Sequence, residues 1–100
     1  MIEIRRKSGR IEINGHAGFA PRGHDIVCAG VSALVQVFIA SVEELTEDNI
    51  KADIADGRAV IEYKNLSERG QLLKDSFLLG LEMIATEYPY HVRIAQAWKA

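Results

Sequence analysis

The chain contains one cysteine, Cys28, and three histidines, two of which, His16 and His24, precede it. A thiol beside an imidazole is the pair that a cysteine nucleophile requires, because the imidazole can accept the thiol proton or stand as imidazolium beside the thiolate. A single cysteine is also a common buried packing residue. The residue types alone therefore leave two hypotheses open, a reactive thiol or a structural one.

Asp25 immediately precedes an apolar run and is a favoured helix N-cap residue, whose carboxylate accepts hydrogen bonds from first-turn backbone N–H groups. Cys28 would then lie in the first helical turn, where the positive end of the helix dipole stabilises a thiolate. The charge of Asp25 opposes this effect, so a nearby cation would help. His16 is the candidate, since the strand predicted to end at Asn14 delivers it to the edge of the sheet from which the helix starts.

Other roles for these polar residues have weaker support. His24 would share a helix face with Cys28 only if the helix began one turn earlier, so we expect it to contact the loop or a substrate. Cys28, His16, His24 and Asp25 could together ligate a metal, but neither a CxxC nor an HExxH spacing is present, and we predict no metal and no cofactor. Ser32 lies one turn beyond Cys28, and a serine hydrolase is the weakest hypothesis.

The segment between Asn14 and Asp25 contains Gly15, Gly18 and Gly23 together with one proline. About ten residues of irregular backbone are long for a connection in a small domain, which favours a functional loop over an ordinary surface loop.

Alternation of apolar and charged residues predicts two β-hairpins. The first turns at Ser8-Gly9, and the second, at positions 52–63, has type I′ turn chemistry at Asp56-Gly57. The predicted apolar face of the second hairpin comprises Ile54, Val60 and Tyr63.

Helical periodicity predicts a helix from Asp25 to about Leu45 and another at positions 67–87, before Pro89. We expect the first to be buried on more than one side, with Gly30 and Ala33 permitting close packing. Its predicted apolar stripe is Val27, Val31, Leu34, Phe38 and Leu45; that of the second is Leu73, Phe77, Leu81 and Ile84, broadened by Leu72, Leu79 and Met83.

Alternation of polar and apolar residues at positions 91–95 predicts a final short strand, with His91 as a surface residue at its start. Trp98 suggests that the tail after this strand packs against the domain. The element order ββαββα(β) indicates an α+β fold with two helices packed on an antiparallel sheet. With 100 residues, of which 48% are hydrophobic, we expect one domain spanning 1–100.

Composition also bears on location and partners. A lone cysteine cannot form an internal disulfide, which favours a reducing, cytoplasmic setting, and the N-terminus lacks a signal-peptide pattern. The apolar stretch Ile26–Ala40 is shorter than the roughly 20 residues of a membrane span, so none is predicted. The basic cluster Arg5, Arg6 and Lys7 is typical of a solvated hairpin end, and we do not expect direct nucleic-acid binding.

Two motifs, Gly15-His16-Ala17 and the run DIVCAGVS at positions 25–32, resemble the bacterial ribosomal-processing cysteine protease family, Prp, and the likeness extends over the whole chain. The resemblance implies a dyad with Cys28 as nucleophile and His16 as base, with Asp25, Gly15 and Ser32 organising the site. It implies a mobile loop at positions 17–24 that contacts substrate through Ala17, Gly18, Phe19, Arg22, Gly23 and His24.

The resemblance further implies a homodimer whose substrate is the N-terminal extension of a large-subunit ribosomal protein. First-turn N–H groups near Cys28 are then expected to form an oxyanion hole. The alternative is a noncatalytic, ribosome-associated binding protein. In it, the basic N-terminal segment that contains Arg5, Arg6 and Lys7 contacts RNA, and Cys28 is structural.

Overall fold

The computed structural model describes residues 1–95, and Trp98 lies outside them. The elements in chain order are β1 Ile2–Lys7, β2 Arg10–Asn14, α1 Ile26–Leu45, β3 Ile50–Ala55, β4 Arg58–Tyr63, α2 Glu68–Glu87 and β5 Val92–Ile94. Ser67 caps α2, because its side chain accepts a hydrogen bond from the Gly70 backbone N–H. The predicted order of strands and helices is confirmed.

One five-stranded sheet, in the order β3-β4-β2-β1-β5, supports both helices. The pairs β3–β4, β4–β2 and β2–β1 are antiparallel, whereas β5 pairs with β1 in parallel, through Ile2 opposite Val92. The α+β class is therefore confirmed, with a sheet that is mixed rather than wholly antiparallel. The parallel pair arises because α2 carries the chain across the sheet before β5 begins, as parallel neighbours require.

The core lies between one face of the sheet and the helices. Phe38 of α1 stacks on Phe77 of α2 with ring centroids 4.8 Å apart. The core cluster comprises Ile2, Ile4, Ile11, Ile13, Ala59, Ile61 and Val92 from the strands and Val27, Val31, Val35, Phe38, Val42, Phe77, Leu78 and Leu81 from the helices. β1 and β2 bury alternate residues, Ile2 and Ile4 in β1 and Ile11 and Ile13 in β2, as the pleat of a strand requires.

The buried stripes of both helices are narrower than the sequence predicts. In α1, Val35 and Val42 are buried whereas Leu45 is exposed, and in α2 Leu72, Leu79 and Met83 are exposed rather than broadening the core face. The expectation that α1 is buried on more than one side is wrong, because the α1 residues facing away from the core, Ala33 and Val37 among them, are exposed.

At 20 residues α1 is long and apolar enough to cross a membrane. The prediction of no membrane span therefore cannot rest on the length of the apolar stretch. In this fold the inner face of α1 forms part of the core.

The second hairpin differs from the prediction in its face and its turn. Val60 lies opposite Asp53 and Glu12, outside the core cluster, while Ala59 and Ile61 on the other face are core residues. The predicted type I′ turn requires positive φ at both central residues, but only Gly57 has it, at φ +69°.

Candidate active site

Asp25 caps α1 as predicted. Its Oδ1 accepts hydrogen bonds from the backbone N–H groups of Val27 and Cys28, both at 3.0 Å. Because α1 begins at Ile26, Cys28 is the third helical residue, in the turn where the helix dipole stabilises an anion.

The second oxygen of Asp25 holds the preceding loop. Oδ2 accepts hydrogen bonds from the backbone N–H groups of Phe19, at 3.0 Å, and Ala20, at 3.3 Å. These hydrogen bonds hold the pKa of the Asp25 carboxyl below its ordinary value. The largest effect comes from the backbone N–H of Cys28, and those of the loop and of Val27 add to it. One carboxylate therefore fixes both the helix start and the first half of the loop.

The Cys28 thiol is partly exposed, and its Sγ accepts a hydrogen bond from the Ala17 backbone N–H at 3.3 Å. This contact places the buried Ala17, the residue after His16, against the sulfur. The hypothesis that Cys28 is a fully buried packing residue does not fit its exposure.

The predicted oxyanion hole is not available in this arrangement. The N–H groups of Val27 and Cys28 donate to Asp25 Oδ1, and that of Ala29 donates to the Asp25 carbonyl. The capping that positions Cys28 thus occupies the first-turn donors that were expected to bind an oxyanion. The Ala17 N–H, which donates to the sulfur, is a backbone donor beside the thiol.

His16 lies at the end of β2, beside the β3–β4 turn. Gly15 has φ +101°, and its N–H donates to the Gly57 carbonyl oxygen at 2.8 Å. The His16 ring lies directly over Gly57, and its Nε2 is 3.9 Å from Asp56 Oδ1. The backbone nitrogen of Met1 donates to the His16 carbonyl oxygen at 2.6 Å.

His16 and Cys28 line the same groove, with a volume of about 670 Å³, between α1 and the β3–β4 hairpin. Of the predicted organising and loop residues, Gly15, Asp25, Ser32, Gly18, Arg22 and Gly23 also line it. Among the hydrogen bonds of residues 1–95, none joins His16 to Cys28. The structure therefore brings the predicted pair to one cleft, with the thiol bonded to the backbone beside His16.

The loop at positions 17–24 packs against the end of α2 through Phe19. Its ring meets Tyr88 and His91 edge-on, with centroids 5.4 and 5.3 Å apart, and His91 Nδ1 lies 3.0 Å from the Ala17 carbonyl oxygen. The prediction that His91 is a simple surface residue is wrong. Its only sequence signal is its position beside Pro89, because its partners lie more than 70 residues away in the chain.

His24 does not join the groove. It is exposed, and its backbone N–H closes a turn onto the Pro21 carbonyl oxygen. Within residues 1–95, no group of three or more histidine, cysteine or acidic side chains is placed to hold a metal ion.

Comparison with known proteins decides the family. The family model described as cysteine protease Prp matches residues 1–93. The chain belongs to the Prp family of cysteine proteases. The ribosomal processing cysteine protease Prp of Bacillus subtilis is 30% identical over 90 residues, which cover 83% of this chain and 80% of the relative.

Solved Prp structures have the same fold. The ribosomal processing protease Prp of Staphylococcus aureus, in complex with a covalently linked product peptide, superposes with a TM-score of 0.86 at 27% identity, covering 98% of this chain and 97% of that one. The same enzyme with a substrate peptide gives a TM-score of 0.80 at 26% identity, with the same coverage. The proteolytic activity that the two sequence motifs predicted is thereby confirmed at the level of the family.

Proposed function

We propose that this Prp-family protease is an endopeptidase that removes the N-terminal extension of a large-subunit ribosomal protein, with Cys28 as nucleophile and His16 as base. The observation that carries the proposal is the position of Cys28, in the first turn of α1 and in the groove that His16 lines. A thiol in the first turn of a helix and beside an imidazole is in the environment that activates a cysteine.

The reaction proceeds in two halves. The Cys28 thiol proton passes to His16, Sγ bonds to the scissile carbonyl carbon, and the carbonyl electrons move to oxygen. The intermediate collapses with cleavage of the C–N bond, and the leaving amine takes the proton from His16. Water, deprotonated by His16, then hydrolyses the thioester, so that no cofactor is required.

The groove suits an extended peptide. Val35 and Ile39 of α1 and Ile54 of β3 give it apolar walls, and Arg22 and Arg58 add cations. An apolar cleft with a few polar groups is the usual form of a binding site. The peptide complexes of the S. aureus relative, one covalent, support a covalent mechanism on a peptide, and the names of the relatives support a ribosomal substrate.

We further propose that the enzyme acts in the cytoplasm as a homodimer. Support for the dimer comes from the outer surface of the helical layer, where the exposed Val37, Leu79 and Met83 are apolar. Exposed apolar area of this kind is typical of interaction surfaces. A cytoplasmic location agrees with the free thiol of Cys28.

We do not propose nucleic-acid binding. On the β1–β2 hairpin, Arg5 pairs with Glu3 at 2.7 Å and Arg10 pairs with Glu12 at 2.7 Å. Basic side chains that are neutralised by adjacent acids contribute little to attraction of a phosphate backbone.

The test is cleavage of an extended ribosomal-protein precursor, followed by mass spectrometry of both products. We expect the wild-type protein to give one cut, and Cys28→Ala to give none while retaining the wild-type circular dichroism spectrum. His16→Gln should lower kcat by at least roughly 100-fold, the usual contribution of a general base. Full cleavage by Cys28→Ala would exclude Cys28 as the nucleophile.

A further inference from the structure

The turn between β3 and β4 contributes an acidic group to the site. We propose that Asp56 is a positioning residue for His16, facing its Nε2 at ion-pair distance and balancing the imidazolium charge, so that Nδ1 is left to exchange the proton of Cys28. This role rests on the proposed function, because it presumes that His16 is the base.

The sheet order places Asp56 beside His16. β2 pairs with β4 in the register Asn14 opposite Arg58, so the residue after β2 and the turn before β4 meet at one edge of the sheet. The hydrogen bond from the Gly15 N–H to the Gly57 carbonyl oxygen, at 2.8 Å, extends this pairing by one step. The backbone pairing of their neighbours Gly15 and Gly57 therefore brings Asp56 beside His16.

The orientation of the ring assigns its two nitrogens. A Cβ added to Gly57 would lie 2.7 Å from His16 Nε2, closer than to the other ring atoms, so Nε2 is the atom that faces the turn. Asp56 Oδ1 is 3.9 Å from the same nitrogen. A carboxylate at one ring nitrogen selects the tautomer and stabilises the imidazolium, leaving the other nitrogen for proton transfer.

Arg22 shares the same carboxylate. Its Nη1 is 3.5 Å from Asp56 Oδ2, so Asp56 presents one oxygen to the loop and the other to His16. Asp25 and Arg58 are the other charged residues that line the groove. Arg22 thus offsets part of the charge of the carboxylate.

The experiment compares Asp56→Asn with two controls, using kcat and KM for precursor cleavage between pH 5 and pH 10. Asparagine suits a turn, so the hairpin is retained. We expect kcat to fall roughly 3- to 30-fold, since the pair is exposed, with KM changed less than about twofold. The acid limb of the kcat profile, on which the base His16 loses its proton, should move to lower pH, because the imidazolium loses a nearby negative charge.

Two control variants test whether the effect is specific to Asp56. One removes a negative charge elsewhere, and the other removes the contact between Asp56 and the loop at positions 17–24. Asp53→Asn removes the same charge from β3 at a residue outside the groove, and it should reproduce neither change. Arg22→Gln breaks the ion pair between Arg22 and Asp56 but leaves the carboxylate beside His16, so the acid limb should stay or move up. If Asp56→Asn retains the wild-type kcat and pH profile, or if Arg22→Gln reproduces its downward shift, Asp56 does not act through His16.

An NMR titration distinguishes failure of this proposal from failure of the proposed function. The ¹⁵N signals of the His16 ring, assigned with His16→Gln, should show a changed tautomer ratio and titration curve in Asp56→Asn and not in Asp53→Asn. A wild-type protein that cleaves nothing would refute the proposed function, yet the ring signals would still report on Asp56. Unchanged ring signals in Asp56→Asn would refute the positioning role, whatever the activity.

Discussion

At the scale of single residues, the site depends on one carboxylate that accepts four backbone hydrogen bonds. Asp25 joins the first turn of α1 to the loop at Phe19 and Ala20, and so fixes Cys28 relative to Ala17. These donors hold the pKa of Asp25 below its ordinary value of 3.8. The contribution of Asp25 to stability is therefore present above pH 3.8 and is lost as the pH falls through its lower, folded-state pKa.

We expect Asp25→Asn to lower the melting temperature at pH 7 by roughly 4 °C or more, because the amide has one acceptor oxygen and no charge. The difference from wild type should shrink when the pH falls below 3.8, because the carboxylate then takes up a proton first in the unfolded state and, at still lower pH, in the folded state. Calorimetry at pH 7, 4 and 3 measures both effects, with Asp53→Asn as control for charge. A difference that stays constant across this range would contradict the linkage.

Local interactions made some of these residues predictable. The cap at Asp25 and the first-turn position of Cys28 involve neighbours within three residues, so the sequence pattern suffices. The contacts of His91 with Ala17 and of Asp56 with His16 depend on which strands pair, and no local pattern encodes that. Knowledge that β4 lies beside β2 would have indicated Asp56.

At the scale of elements, the β3–β4 turn is a platform for His16, and Gly57 is the residue that permits it. Its φ of +69° favours glycine, and a Cβ there would lie 2.7 Å from His16 Nε2. Gly57→Ala should cost about 1 to 2 kcal/mol of stability and also displace the His16 ring. We therefore expect kcat/KM to fall at least roughly tenfold at a temperature where the variant is folded.

Gly9→Ala is the matched control, because Gly9 has φ +75° in the other hairpin turn and a Cβ there would meet the Tyr63 carbonyl oxygen at 2.8 Å. It should lose comparable stability in urea denaturation and retain kcat/KM. Equal loss of activity in both variants would show that hairpin strain, and not the contact with His16, limits catalysis.

The hairpin also shows where periodicity misleads. Ala59, Val60 and Ile61 form a continuous apolar run in β4, so alternation does not reveal which of them face the core. The register with β2, in which Ile61 lies opposite Ile11, decides the question. A strand in the interior of the sheet can bury both faces, and Val60 is buried on the face away from the helices.

At the scale of the whole molecule, the helices cover one face of the sheet and leave several apolar side chains exposed on their own outer surface. Periodicity predicted two amphipathic helices, but it assigned Leu72, Leu79 and Met83 to the core, where the space is taken by Phe77, Leu78 and Leu81. The apolar stripe of these helices is wider than the part that packs against the sheet. A partner molecule that covers the remaining apolar side chains would explain the extra width. This excess is the physical reason for expecting a second copy of the chain on the helical layer.

We expect Val37→Lys combined with Leu79→Lys to convert the proposed dimer into a monomer. Both side chains are more than half exposed, at 61% and 58%, so their replacement should change the stability of the isolated fold by less than about 0.5 kcal/mol each. Two buried lysines per subunit would instead oppose association, because their charges would lose water without gaining partners. Light scattering coupled to size exclusion measures the mass directly, and Asn49→Lys, an exposed residue between α1 and β3, is the control. A wild-type mass of one chain, or a double variant that remains dimeric, would show that this surface is not the interface.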